Sequence, residues 1–424
     1  MAKTRPRFQT ESIIKTWPMV RLGDVCEFSR GLTYSKSDEV QVSSNAVLRS
    51  NNVDLESGRL ILDELKYIRD SIEIPTSKRV SKGAILMCTA NGSKQHLGKV
   101  ALIDDDYDYA FGGFMGLLTP NDSINSRYLY WQLMSFEFKR HVTTLTDGTN
   151  INNLKFADIA QFTFPLPTLS VQREIVARLE RELAAVEKIK KDFEELAETA
   201  KAEFKAELKE VFEKISRGGA ETRRLGEVCD VRDGTHDTPA KCNKGYLLLT
   251  SKNVRNGKVD KANAYYISAS DYVAINKRSG VDQWDVLFSM IGTVGETAIV
   301  DETPDFAIKN MGLLKTRANE LLARWIKYFF DSQLAKQLIL DRMKGANQKF
   351  LSLGALREFP LVLTNRDSMV RLVARLDSAK ARAEKLEAKA REGVAVCETM
   401  RKAILKEAFD DGRVSPAIGK ATGR

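Results

Sequence analysis

Residues 169–216 read LSVQREIVARLERELAAVEKIKKDFEELAETAKAEFKAELKEVFEKIS, 48 positions without a proline or a glycine. Val186, Ile189, Phe193, Leu196, Ala200, Phe204, Leu208, Val211 and Ile215 recur at steps of three and four, the spacing that lines side chains along one face of a helix. Glu and Lys fill most of the remaining positions. Pro165, Pro167 and Ser170 supply entry and N-cap chemistry, and Gly218 and Gly219 lie where a left-handed residue can close the last turn. A helix of this length spans roughly 70 Å at about 1.5 Å per residue, too long to bury in an ordinary domain core. Its apolar stripe requires a partner along its length.

The partner is found by reading outward, because the chain is written twice. RLGDVCEFSRGLTY (21–34) returns as RLGEVCDVRDGTHD (224–237), and LRSNNVDLESG (48–58) as LTSKNVRNG (249–257). GAILMCTANGSKQHLGKVALI (83–103) matches WDVLFSMIGTVGETAIV (284–300), and MGLL occurs at 115–118 and again at 311–314. GTNINNL (148–154) then pairs with GANQKFL (345–351), and ARLE (177–180) with ARLD (374–377) at the start of a second long helical stretch. Matched order at this period implies a duplicated unit, a globular part followed by a helix.

The second helix is expected from about Thr364 to Asp410, with Thr364 and Asp367 at capping-box spacing and Gly412 as the stop. Its stripe is Met369, Leu372, Leu376, Ala379, Ala383, Leu386, Ala390, Val394, Cys397, Ile404 and Ala408, many of them small. The first helix carries Phe193, Phe204 and Phe212, so large residues facing small ones predict that the two helices pack on each other. Gly393 in mid-helix costs about 1 kcal/mol relative to Ala and implies a bulky neighbour or a bend. Short β-branched runs such as VLRSNNV, AILMCTA, GYLLLTSKNV and DVLFSMIG read as strands. The aromatic-rich stretches 127–142 and 320–340 read as helices with core-facing stripes. Each globular part is therefore α+β.

Bulk properties narrow the class. The chain has 424 residues, 43% hydrophobic and 29% charged, with a net charge of +9. It lacks an apolar run near the roughly 18 residues a membrane span needs, and its basic N-terminal stretch lacks the apolar core of a secretory signal, so a cytoplasmic location without membrane contact is expected. Five cysteines without a C-x-x-C pair and three histidines outside H-x-x-x-H spacing argue against a disulfide framework or a metal site. The acidic run DDDYD (104–108) reads as a solvated turn.

The sequence carries no recognisable catalytic constellation. The Gly-Lys pairs at 98, 257 and 419 lack the flanking residues of a P-loop. There is no Pro-Pro for an N/D-P-P-Y/F loop, no G-x-S-x-G elbow and no H-E-x-x-H. What remains is a set of polar loops at matching places with different residues in each copy. In the first copy these offer Tyr34, Ser35, Lys36, Arg49, Asn51, Asn91, Ser93, Lys94, Gln95 and His96 as candidate DNA contacts. In the second they offer Thr235, His236, Thr238, Lys241, Lys252, Asn253 and Thr293. Arg and Lys grip guanine edges or phosphates, Asn and Gln pair with adenine, and hydroxyls hold phosphate oxygens. Two alternatives stay open: a coiled-coil scaffold that ignores DNA, and a self-sufficient DNA-modifying enzyme.

WPMVRLGDVCEFSRG (17–31), RLGEVCDVRDGTHDTP (224–239) and the junction FPLPTLSVQREIVARLE (164–180) together resemble the specificity (S) subunit of type I restriction-modification systems. The resemblance implies two target-recognition domains, 1–168 and 218–363, each reading half of a bipartite, asymmetric double-stranded DNA site. It implies spacer helices at 169–217 and 364–411, packed as an antiparallel intramolecular coiled coil, and a tail at 412–424. The implied partners are two modification (methyltransferase) subunits and restriction/translocase subunits, with Asn150, Asn152, Gln172, Asn347 and Gln348 as candidate contacts. The subunit itself is expected to be non-catalytic and without a cofactor, in a complex that uses S-adenosylmethionine for adenine methylation, and ATP with Mg for restriction. The second junction, FPLVLTNRDSMVRLVARLD (359–377), lacks the second Pro and the Gln of the first.

Overall fold

A computed structural model describes residues 17–146, 153–345 and 348–409. The chain divides into two compact units, Met1–Lys190 with Ala395–Arg424, and Lys191–Val394. The division cuts through both long helices, Leu169–Arg217 and Arg366–Glu407, so each unit holds a globular part and a piece of each helix.

In the first unit an antiparallel sheet runs in the order Cys26–Arg30, Met115–Pro120, Ile85–Cys88, Val100–Leu102. A second sheet runs Glu39–Val40, Lys66–Ile68, Asn45–Leu48, Ala110–Phe111, its last pair parallel. The run Ile85–Cys88 is apolar throughout because it is covered on both faces. Ile85 and Met87 join Tyr128, Leu129 and Phe138, while Leu86 and Cys88 join Leu48 and Phe111. The second unit repeats the plan with Asp230–Asp233, Gly312–Lys315, Val286–Phe288, Thr297–Ile299, and with Tyr265–Ile267, Tyr246–Thr250, Phe306–Lys309. Each globular part is also closed on itself by a short antiparallel pair next to its long helix, Met19–Arg21 with Thr163–Pro165 and Glu221–Arg224 with Pro360–Leu363.

Both aromatic-rich stretches bury most of their aromatics as read, Phe136 being the exposed exception, yet each is two helices broken at a serine. Ser135 separates Ser126–Met134 from Phe136–Thr146, and Ser332 separates Glu320–Asp331 from Gln333–Arg342. The Ser135 and Ser332 hydroxyls accept from the amides of Phe138 and Ala335, the N-cap chemistry that starts a new helix.

The long helices pack antiparallel. In the first unit Lys190 pairs with Glu398, and Leu179 shares a core with Ala408. In the second unit Phe193 covers Gly393, and Arg375 bonds Glu207 and, at 2.8 Å, Glu210. The bulky neighbour at Gly393 is the Phe193 ring: a Cβ there would stand 2.5 Å from it. The other two phenylalanines correct the large-against-small expectation. Phe204 meets Tyr328, and Phe212 meets Trp325 and Phe329, so their partners include aromatics of the globular part as well as the second helix. Ile189, assigned to the stripe, is 45% exposed.

Both N-caps also differ from the sequence reading. The Thr168 carbonyl accepts from the Gln172 amide, so the first helix starts before Ser170. The second starts after Asn365, whose Oδ1 accepts from the Ser368 amide at 2.9 Å, rather than at a Thr364–Asp367 box. The first helix ends as expected, with Gly219 left-handed (φ +75°) and the Ala220 amide reaching back to the Ile215 carbonyl. Gly412 lies outside the described residues.

One interaction at the start of each long helix escapes the eye in sequence. Glu180 accepts from the Arg127 guanidinium at 2.9 Å and from Trp131 Nε1 at 3.2 Å. Asp377 accepts from the Arg324 guanidinium at 2.9 Å and from the Tyr328 hydroxyl at 2.5 Å. The three positions are related at one constant offset in number, so the duplication preserved a clamp between globular part and helix while changing two of its residues.

Two outcomes check this packing. Gly393→Ala, which on an open helix face would add about 1 kcal/mol of stability, should destabilise in chemical denaturation and should become stabilising in a Phe193→Ala background. The Lys190 ammonium holds the Glu398 carboxyl below its usual value of 4.5. A depressed carboxylate contributes stability above its unfolded value and loses it as pH falls through the lower folded value. Glu398→Gln should therefore remove part of the loss of stability below about pH 4.5, read as the denaturation midpoint against pH.

Candidate nucleic-acid interface

The polar loops are held by backbone geometry that only glycine allows at one point in each copy. A Cβ on Gly31 would lie 2.0 Å from the Gly112 carbonyl oxygen, and one on Gly234 would lie 2.5 Å from that of Ile308. At both places the chain leaves the first sheet and runs against the second: Leu32 N–H donates to Phe111, and Thr235 N–H to Ile308. The residues that follow are the first candidate loops.

In the first unit Tyr34 is half-buried beside Arg49; burial pushes its phenol pKa up, and the guanidinium opposes this. Ser35 and Lys36 are exposed at the start of a single 3₁₀ turn, where Ser35 Oγ accepts from the Ser37 amide. Arg49 Nε is buried without a hydrogen-bond partner among the described residues, and Asn51 is exposed beside it in sequence. Asn91 donates to Ser50 Oγ at 2.8 Å and accepts from the Ser93 amide, tying two loops together. Ser93 is exposed, and His96 is partly buried with Nδ1 unpartnered among the described residues. Lys94 and Gln95 turn elsewhere. They line a cleft of about 470 Å³ with Lys139, Arg401 and Lys402, and Lys94 Nζ donates to the Thr146 carbonyl.

In the second unit His236 stands between Asp233 (2.9 Å from Nε2) and Asn310 Oδ1 (2.9 Å from Nδ1). Asp233 also receives Arg278. Thr235 caps its own turn by accepting from the Asp237 amide, Thr238 accepts from Lys309, and Lys241 lies over the Tyr265 ring at 5.1 Å. Lys252 and Thr293 line a groove of about 960 Å³ with Arg255, Asn263, Asn310 and Gln348. Gln348, expected at a partner contact, thus sits beside candidate reading residues. Asn310 was missed in the sequence. Besides meeting His236, it accepts from Ser251 Oγ through its carbonyl at 3.1 Å, and it holds φ +52°.

Two candidates leave the set on physical grounds. Asn253 is buried, donates to the Asp260 and Ala262 carbonyls and accepts from the Thr250 amide. Its duplicate Asn52 does the same with Ile61, Glu64 and Arg49. Gln172 is fully buried, donates to Pro167 and Ser123 and accepts from Asn125. Offering any of these outward would leave buried carbonyls and amides unpaired. The missing Gln of the second junction is explained by the same position: aligned on ARLE and ARLD, its counterpart is the buried Met369, which fills the site with apolar volume. Asn150, Asn152 and Asn347 lie outside the described residues.

Asn52→Ala and Asn253→Ala should each cost about 1–3 kcal/mol in denaturant unfolding. Replacing exposed Asn51 or Lys252 should leave the midpoint within about 0.5 kcal/mol.

Residues 14–197 match the type I restriction modification DNA specificity domain family. The specificity subunit of the type I restriction enzyme EcoKI from Escherichia coli (strain K12) is 23% identical, covering 93% of this chain and 88% of that protein. The StySPI specificity subunit from Salmonella potsdam is 27% identical over 188 residues, 44% of this chain and 40% of that protein. A chain from a solved structure concerned with complex assembly and conformational transition of the type I R-M system shares the fold at a TM-score of 0.70 and 20% identity, covering 93% of this chain and 98% of its own. The HsdS subunit from Thermoanaerobacter tengcongensis does so at 0.58 and 21%, covering 93% and 97%. Along nearly the whole chain, and in a sheet order that recurs in its two globular parts, this chain is similar to the specificity subunits of type I restriction-modification systems.

Proposed function

We propose that this chain recognises a bipartite, asymmetric DNA sequence, one globular part per half-site, and carries two modification subunits on its helix pair. The observation that carries this reading is one framework built twice with different residues at matching loop positions. Asn51 stands where Lys252 does, and Leu32–Ser35 where the second copy presents Thr235–Thr238. Equal frames hold unlike donors and acceptors, which is what reading two unlike half-sites requires.

The chain supplies no catalysis of its own on this reading. Adenine methylation, with S-adenosylmethionine, belongs to the modification subunits, and ATP- and Mg-dependent cleavage to restriction/translocase subunits. Among the described residues no group of His, Cys, Asp or Glu is arranged to hold a metal ion, and no helix is long and apolar enough to cross a membrane. The complex would work on cytoplasmic DNA.

The test is an exchange of residues 232–241 for those of a relative with another specificity, in the chain assembled with its modification partner. Methylation mapped on random duplexes should change at one half-site and stay the same at the other. A change in neither removes this loop from the reading surface, and sequence-independent methylation by the unaltered complex removes the function proposed.

A further inference from the structure

The turn Gly112–Phe114 was not among the candidate loops, yet it touches three of them. The Gly112 amide donates to Leu48, beside Arg49, at 2.9 Å. The Phe114 carbonyl accepts from the Thr89 amide (3.0 Å), the Thr89 hydroxyl (3.0 Å) and the Ala90 amide (3.1 Å), one residue before Asn91. A Cβ on Gly113 would lie 3.2 Å from Thr33 Oγ1, next to Tyr34. The turn is closed by the Met115 amide on the Gly112 carbonyl at 2.8 Å.

On this tied backbone the Phe114 side chain is 74% exposed. It joins none of the apolar clusters of its unit, either as core or as partly buried neighbour. A phenyl ring on a loose loop can fold back onto apolar surface. One whose carbonyl accepts three hydrogen bonds has a fixed backbone, and its ring stands in water at a standing cost. The second copy has a different residue here. Arg30 opposes Gly116 and Asp233 opposes Gly312 in the same sheet register, so Phe114 corresponds to Asn310, the residue that lines the groove with Lys252 and Thr293.

We infer that Phe114 is a specificity-determining residue of the first globular part, pressing its ring on the C5-methyl of a thymine in that half-site. The inference rests on the DNA-reading function proposed above. Apolar contact is how a side chain without donors distinguishes thymine in the major groove, whereas the amide of Asn310 suits adenine. The two copies would then differ in chemistry at one framework position.

The experiment uses the full chain assembled with its modification partner, and measures competition binding on duplexes altered one base pair at a time. Phe114→Ala should lose discrimination by about tenfold at one position of one half-site, with the other half-site and the thermal midpoint unchanged. Phe114→Leu, which keeps an apolar contact, should recover most of it. Uracil in place of the contacted thymine should weaken binding by the unaltered complex and leave Phe114→Ala indifferent. Unaltered discrimination by Phe114→Ala, or a loss shared equally by both half-sites, overturns the inference; a local loss that is insensitive to uracil overturns the methyl contact. If the unaltered complex shows no sequence preference, the function proposed above fails together with it.

Discussion

The rest of the structure depends on one constraint: a helix of 49 residues carries an apolar stripe longer than a globular part can cover. The chain meets it with a second helix of 42 residues running the other way. At Phe193 and Gly393 the absence of a side chain on one helix makes room for a ring on the other. Toward Phe204 and Phe212 the covering changes, and the globular part contributes Trp325, Tyr328 and Phe329. The same helix is thus half of a coiled coil and part of a domain core. Glu180 and Asp377 fix this arrangement twice, each joining its helix to an Arg and an aromatic donor.

Duplication kept what closes the frame and released what faces outward. Asn52 and Asn253 clamp the same turn, and Gly31 and Gly234 allow the same close approach. Around them the copies diverge. The second has a helix at Ala269–Ser279 near the place where the first has the short turn Thr76–Lys78. It also buries Asp285 against Lys315 at 3.1 Å, just before the strand Val286–Phe288, where the first copy carries Ala84. Burial pushes the Asp285 carboxyl up and the Lys315 ammonium opposes it. Such a pair contributes little net stability but leaves an uncompensated charge if one partner is lost.

The long helices, the duplication and the α+β class were legible because each is a pattern in residue type and spacing. The candidate site was legible only as a list of loops. A polar residue on a loop reads the same whether it faces solvent or reaches inward to a carbonyl 9 or 49 positions away, as Asn253 and Gln172 show. The caps were misplaced for a related reason: Thr168 and Ser170, or Thr364 and Asn365, are equivalent in composition and differ only in backbone direction. Phe114 and Asn310 gave no signal, since one aromatic and one amide inside strand-like runs look like core and turn.

We propose that the two helices set the separation of the two half-site readers. It is tested most directly by inserting one heptad into each helix, on either side of the Phe193–Gly393 contact, and mapping the preferred gap between half-sites in the assembled complex. Seven residues add about 10 Å of helix, so the account predicts a gap longer by about three base pairs at a rise of roughly 3.4 Å each, with both half-sites unchanged. An unchanged gap in a complex that still reads both half-sites would contradict it.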